Sequence, residues 1–192
     1  MKGEVVLNEK IIAEKDGFIL RLAQAQDAQP YFDQDDCPLD PEAARLTGSK
    51  TAFEKDEGMS FFLQSLDQQE RVFFLIIAPD GRIIGESVIN EIDWELRCAN
   101  FRIGIFHPAE RGRGIGAWAI ERTRDFAFEQ LGLHRLALDV YSFNLRAQKA
   151  YLKAGFKTEG VLRDAVRDGD RYADDILMAI LEDEWKALRR MA

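Results

Sequence analysis

Two spacings of apolar residues organise the chain. Short apolar runs bounded by turn residues read as strands over residues 5–13, 18–22, 71–78, 82–92, 98–106, 136–141, 160–167 and 172–181. Three of the gaps between them carry hairpin chemistry: Asp16-Gly17, Pro79-Asp80-Gly81 and Asp168-Gly169. Elsewhere the spacing is helical. Ile115, Ala119, Thr123, Phe126 and Ala127 recur on one face of a helix over 115–131, which Gly132 ends. Asn144 is a good N-cap for a helix that runs through residues 146–154 to Gly155. Further helices are predicted over 26–35, over 41–46 with Asp40 as cap and Pro41 at the first position, over 59–67, and over 182–190. The order is mixed α/β, with neither a repeat nor a low-complexity linker. Residues 1–192 are expected to form one domain, a length sufficient for one sizeable core.

The densest chemistry lies between the strand at 98–106 and the helix at 115. The stretch Phe101-Arg-Ile-Gly-Ile-Phe-His-Pro-Ala-Glu-Arg-Gly-Arg-Gly-Ile-Gly-Ala117 is a strand, a proline-marked turn and a glycine-rich loop opening a helix. Glycines there let backbone N–H groups approach a ligand, and the first amides of a helix lack internal partners and favour negative charge. Arg111, Gly112, Arg113, Gly114, Ile115, Gly116 and Ala117 are therefore candidates for holding a phosphate or pyrophosphate. A Walker loop is excluded, because Gly116 is followed by Ala117-Trp118 rather than Lys-Ser/Thr. The Gly-x-Gly-x-x-Gly dinucleotide spacing is also absent, since the glycines stand at 112, 114 and 116.

Arg111-x-x-Gly114-x-Gly116 resembles the acyl-CoA loop of the GNAT superfamily of N-acetyltransferases. Downstream, Asn144, Ala147 and Tyr151 share one helix face over two turns. The pattern Asn-x-x-Ala-x-x-x-Tyr-x-x-x-Gly-Phe resembles the second signature of that family. The resemblance covers about residues 70–185. It implies an α+β GNAT-like fold with a mixed, mostly antiparallel central sheet flanked by helices on both faces, and acetyl-CoA as co-substrate. It further implies that Asn144 holds the pantetheine arm and that Tyr151 is the general acid. The backbone of Ile105 and Phe106 would polarise the thioester carbonyl where a bulge splays the strand, and free strand edges would bind the pantetheine amides. The glutamate that many relatives carry in the strand before the loop is missing from Ala99-Asn100-Phe101-Arg102. Glu86, Glu91, Asp93 and His107 are the titratable alternatives, and Glu91 is the expected base because the end of its strand should border the groove.

Composition narrows the partners. The formal net charge of −8 argues against nucleic acid. No apolar run reaches the ~18 residues of a membrane span. The N-terminal residues show no leader pattern, and Cys37 and Cys98 form no disulfide framework, so a cytoplasmic protein is expected. His107 and His134 sit in no ligand cluster, and no metal is expected. Acidic clusters at Asp33, Asp35, Asp36 and Asp40, and at Asp164, Asp168, Asp170, Asp174 and Asp175, would attract a cationic amine if they border the groove.

Motifs flanking these signatures, among them Leu131-Gly-Leu-His-Arg-Leu136 and Gly169-x-x-Tyr-x-Asp-x-Ile-Leu-Met178, resemble the branch containing ribosomal-protein N-terminal acetyltransferases, which also holds polyamine and antibiotic acetyltransferases. The leading expectation is thus acetylation of a protein or peptide N-terminal amine by a monomer or homodimer. The alternatives are a small cationic amine, such as a polyamine or aminoglycoside, and an acyl-CoA-binding module without turnover.

Overall fold

The structure, a computed structural model, describes residues 11–34, 40–50, 54–106 and 108–191. Strands β1 (Ile11–Lys15) and β2 (Phe18–Leu22) form a hairpin through Asp16 and Gly17, both at positive φ as a tight primed turn requires. The strand expected over 5–13 is described only from Ile11 onward. Strands β3 (Val72–Ile77), β4 (Ile83–Asp93) and β5 (Cys98–Ile105) continue the antiparallel run, followed by β6 (Arg135–Tyr141), β7 (Lys157–Asp168) and β8 (Arg171–Leu181). They build one eight-stranded sheet in the order β1-β2-β3-β4-β5-β6-β8-β7. Every pairing is antiparallel except β5 with β6.

Helices cover both faces, and β3 shows why its sequence is an unbroken apolar run. Phe74 and Ile76 pack under α4 (Ile115–Glu129), α5 (Leu145–Lys153) and α6 (Glu182–Met191). Phe73, Leu75 and Ile77 pack on the other side under α1 (Ala28–Gln34) and α3 (Lys55–Leu66). A strand buried on both faces has no polar alternation to show. The helix expected over 26–35 divides into a 3-10 turn at Ala25–Asp27 and then α1. α2 (Pro41–Thr47) is capped by Asp40, whose Oδ2 accepts the Ala43 N–H at 2.9 Å, as the sequence predicts. Ser87 and Thr123 share a buried hydroxyl hydrogen bond of 2.7 Å that pins α4 to β4.

The feature that positions the site is where β5 and β6 part. They pair only at Cys98↔Arg135, Ala99↔Leu136 and Asn100↔Ala137. Beyond that rung β5 stays with β4 as far as Gly85↔Ile105, while β6 stays with β8 as far as Tyr141↔Asp175. The Phe101 N–H, next in line for β6, is taken instead by Asn100 Oδ1 at 2.8 Å. The sheet therefore opens into a wedge whose apex lies at Asn100 and whose mouth lies at Ile105 and Tyr141.

Candidate active site

The wedge widens into a cleft of about 810 Å³ reached by α1, α2, α3, α4 and α5. Its β5 wall presents unused backbone. The Phe106 N–H donates to Ile84 O at 3.0 Å. By the alternation of an antiparallel ladder, Ile103 and Ile105 then direct their N–H groups away from β4, into the wedge. This corrects the expected Ile105-Phe106 oxyanion site: the Phe106 amide is already engaged, and the β4–β5 register is regular here. The only shift in that ladder lies between Asn90 and Asp93. The open backbone comes from the departure of β6, with no bulge at Ile105, and Ile105 alone of the two keeps an N–H facing the cleft.

At the mouth, Gly112 and Gly114 adopt φ of 78° and 80°, and an added Cβ at either would meet nothing within 4 Å. The first intrahelical bond of α4 runs from Trp118 N–H to Gly114 O. Among the described residues, the N–H groups from Gly112 to Ala117 thus have no acceptor, and the space in front of Gly112 and Gly114 is open. That is the geometry of an anion cradle, and it fits a pyrophosphate.

The two arginines of the loop do other work. Arg111 lines the cleft, but its guanidinium donates to Ile105 O (3.2 Å) and Phe106 O (2.7 Å) and pairs with Asp40 at 2.8 Å. Arg113 turns outward, pairing with Glu110 at 2.6 Å and lying 5.1 Å from the Phe18 ring centre. Ile115 is buried in the core, so only its backbone belongs to the cradle. Gly112, Gly114, Gly116, Ala117, Ile105, Phe106, Asn144 and Tyr151 all line the cleft.

On the opposite wall Asn144 caps α5, its Oδ1 accepting the Ala147 N–H at 3.2 Å and its Nδ2 donating to Leu46 O at 3.4 Å. Tyr151 follows two turns later. Its ring lies edge-on to Phe101 and Phe156 and is 6 % exposed. Burial pushes its phenol well above the usual tyrosine range, and the nearby Asp139 carboxylate adds to the shift. The hydroxyl therefore keeps its proton at neutral pH and makes no hydrogen bond among the described residues.

Glu91 is not brought to the cleft. It sits exposed at the β4 irregularity with φ of 55°. The expectation failed on strand direction. β5 runs antiparallel to β4, so the mouth of the wedge, at the end of β5, faces the start of β4. Glu86 is paired there with Gly104, and it lines the cleft with its side chain 10 % exposed. Tyr31 Oη donates to Glu86 Oε2 at 2.5 Å, and Arg102 approaches Oε1 at 3.3 Å. Tyr31 is wedged among Phe62, Phe73 and Phe106. The antiparallel direction was available from the 82–106 hairpin, whereas Tyr31 had no sequence signal beyond an aromatic residue in a helical stretch. Of the acidic clusters, Asp33 bonds Gln29, Asp168 pairs with Arg45, and Asp35 and Asp36, like His107, lie outside the described residues.

A divided sheet with an anion cradle at one wall and an N-capped tyrosine helix at the other agrees with comparison to known proteins. The chain matches the Acetyltransferase (GNAT) domain family over residues 18–157. It belongs to that family. It is 34% identical over 139 residues to the probable N-acetyltransferase YjcK of Bacillus subtilis, covering 71% of this chain and 69% of that protein. It is 33% identical over 121 residues to the spermidine N(1)-acetyltransferase of Escherichia coli K12, 63% of each chain. In fold it is similar to the spermidine N-acetyltransferase of Vibrio cholerae in complex with CoA and spermine, with a TM-score of 0.79 and 24% identity over 90% of this chain and 99% of that one. The GNAT member described here is an N-acetyltransferase with acetyl-CoA as acyl donor. Among the described residues no helix is long and apolar enough to cross a membrane, and no group of acidic, His or Cys side chains is arranged to hold a metal.

Proposed function

We propose that this acetyltransferase acts on a primary amine of a small cationic acceptor of the polyamine class. The observation that carries the reading is Glu86, a buried carboxylate on the cleft floor at the mouth of the wedge, opposite a glycine and held by Tyr31 and Arg102. Glu57 lines the same cleft from α3, beside the half-exposed Phe61. An ammonium group with an alkyl chain complements such carboxylates and aromatic rings. The spermidine acetyltransferases among the relatives support this acceptor over the expected peptide N-terminus, and so give no support to the ribosomal-protein branch.

Acetyl-CoA supplies an acetyl thioester. An alkyl ammonium near pKa ~10 must lose a proton before its nitrogen can attack, and Glu86 is placed to take it, directly or through a water. As the C–N bond forms, the Ile105 N–H stabilises negative charge on the carbonyl oxygen. As the C–S bond breaks, the Tyr151 hydroxyl hydrogen-bonds the departing sulfur, and the second proton lost by the attacking nitrogen ends on that thiolate. The cradle from Gly112 to Ala117 and the free edge of β5 hold the donor. The presence of both Glu86 and Tyr151 in one cleft supports turnover over a binding-only module.

The test is thiol release from acetyl-CoA across a panel of polyamines, aminoglycosides and peptides. Polyamines should give the highest kcat/KM. Glu86→Gln should lower that value by about 10²-fold or more, the usual contribution of a general base, while Glu91→Gln leaves it unchanged. Equal loss in both variants would remove Glu86 from the reaction.

A further inference from the structure

Tyr31 reaches the cleft at the end of a chain of contacts that begins in the sheet. Arg21 of β2 donates from Nη1 and Nη2 to the two oxygens of the buried Asp27 carboxylate, at 2.7 Å each. Asp27 Oδ2 also accepts the Gln24 N–H at 2.8 Å. The start of α1 is thereby fixed to β2, and Ala28 is buried beside it. Tyr31 lies about one turn further on, on the same side of the helix as Asp27 and Ala28. Its ring centre is 4.7 Å from that of Phe62 and 5.7 Å from those of Phe73 and Phe106, the last two edge-on. All three phenylalanines are buried. Phe106 follows Ile105, so the ring also abuts the end of β5, next to the amide that faces the cleft. A ring held in this way leaves its hydroxyl little choice of position. That position is 2.5 Å from Glu86 Oε2.

Glu86 has need of such a partner. Its side chain turns about three bonds, so its place on β4 does not by itself decide where the carboxylate points. Arg102 competes for it. With Val88 opposite Arg102 and Glu86 opposite Gly104, Arg102 is the diagonal neighbour of Glu86, and it approaches Oε1 at 3.3 Å. A guanidinium fork tends to take a carboxylate by both oxygens. The Tyr31 hydrogen bond on Oε2 opposes that grip. A carboxylate offers about four acceptor sites in all, so sites remain for an ammonium group while both neighbours stay in contact.

We infer that Tyr31 is a positioning residue for acetyl transfer: its hydroxyl holds the Glu86 carboxylate in the orientation that takes the proton from the amine, against the pull of Arg102. The inference rests on Glu86 as the base and adds the group on which that base depends. Tyr31 keeps its own proton throughout and acts only through Glu86.

Tyr31→Phe keeps the ring and its packing and removes only the hydroxyl. Made in the parent and again in Glu86→Gln, it completes a double-mutant cycle, read as kcat for 1,4-diaminobutane at saturating acetyl-CoA. In the parent, kcat should fall by about tenfold, the low end for loss of a hydrogen bond to a charged group, with the KM for acetyl-CoA unchanged. In Glu86→Gln the same substitution should change kcat by less than about twofold, because no carboxylate is left to hold. A general disturbance of α1 would instead lower kcat equally in both backgrounds, and that result overturns the inference. Parental kcat in Tyr31→Phe overturns it as well. Glu86→Gln that alone keeps the parental kcat removes the base, and the positioning with it, before Tyr31 is changed. If the parent acetylates a lysine-free ten-residue peptide and not the diamine, the small-amine reading fails, and the same cycle read with the peptide still decides the role of Tyr31.

Discussion

Tyr151 is the residue at which burial and chemistry pull against each other. The low-dielectric pocket between Phe101 and Phe156 keeps its phenol protonated, as a donor must be, but also makes it a weaker acid than a free tyrosine. A thiol of pKa ~8.5 is the stronger acid of the two, so complete transfer from Tyr151 to a thiolate is uphill. The hydroxyl helps mainly by hydrogen-bonding the sulfur as charge develops on it. Tyr151→Phe should accordingly lower kcat by about 10²-fold, the small end of general-acid effects, and leave acetyl-CoA affinity nearly unchanged. Turnover close to the parent's would make the ring a packing element only, and a joint loss of activity and melting temperature would point to α5 rather than the proton. The raised pKa has a further consequence, whose sign follows from linkage. Above about pH 10 the unfolded chain loses the Tyr151 proton while the folded protein retains it, so this group's contribution to stability declines as pH rises past that point. Phenolate absorbance during alkaline titration of the native protein should therefore be the same for the parent and Tyr151→Phe through about pH 11. A variant that loses one phenolate within that range would show that the phenol is not shifted.

At the scale of elements, the loop before α4 works through its backbone. Gly114→Asp would place a carboxylate and a side chain on a residue held at φ of 80°, in front of amides that otherwise face an anion. Calorimetry should show acetyl-CoA affinity falling by at least about tenfold, since even one exposed charge near a helix start is worth up to ~1 kcal/mol and backbone strain adds to it. A folded variant with parental affinity would remove the cradle from the donor site. The same loop shows what a sequence makes legible. Glycine spacing and helix start are local, and Gly112, Gly114, Gly116 and Ala117 could be placed on the cleft from residues alone. Local too were the Asp40 and Asn144 caps and the hairpins. The partners of Arg111 were not local. Its guanidinium is spent on two β5 carbonyls and on Asp40, a contact made only when α2 folds across the wedge. Glu91 was preferred over Glu86 because strand order was weighed without strand direction. Strand direction alone would have moved the choice to Glu86, near the start of β4 and so beside the end of β5. Its exact pairing with Gly104 was not countable from the turn, because the irregularity between Asn90 and Asp93 shifts the register by one residue.

Across the whole molecule, the wedge depends on holding α5 and the sheet in place while β5 and β6 stand apart. The brace is a buried cluster on the face away from the acceptor. Asp125, on α4, accepts from Arg124 (2.7 Å), from Trp185 Nε1 (2.9 Å) and from Arg189 (3.3 Å) of α6, and pairs with Arg122 at 3.2 Å. Arg124 in turn donates to Ala154 O at the end of α5, two residues before Phe156. One carboxylate thus joins α4 and α6 and, through Arg124, the helix that carries Tyr151. No sequence pattern announced it, because Asp125 and Arg189 lie 64 residues apart and each charged member alone looks like a surface charge. Asp125→Ala would leave the Arg124 guanidinium buried without its counter-ion. Breaking such a pair costs roughly 3–5 kcal/mol, and in a chain of this size each kcal/mol lowers Tm by about 2–4 °C, so calorimetry should record a drop of roughly 10 °C. The Lys157–Glu184 pair also links α6 to the sheet but is largely exposed, so Lys157→Ala should shift Tm far less. If the two substitutions lower Tm equally, the cluster is not the brace, and packing of Trp185 on Phe128 must hold α6 instead.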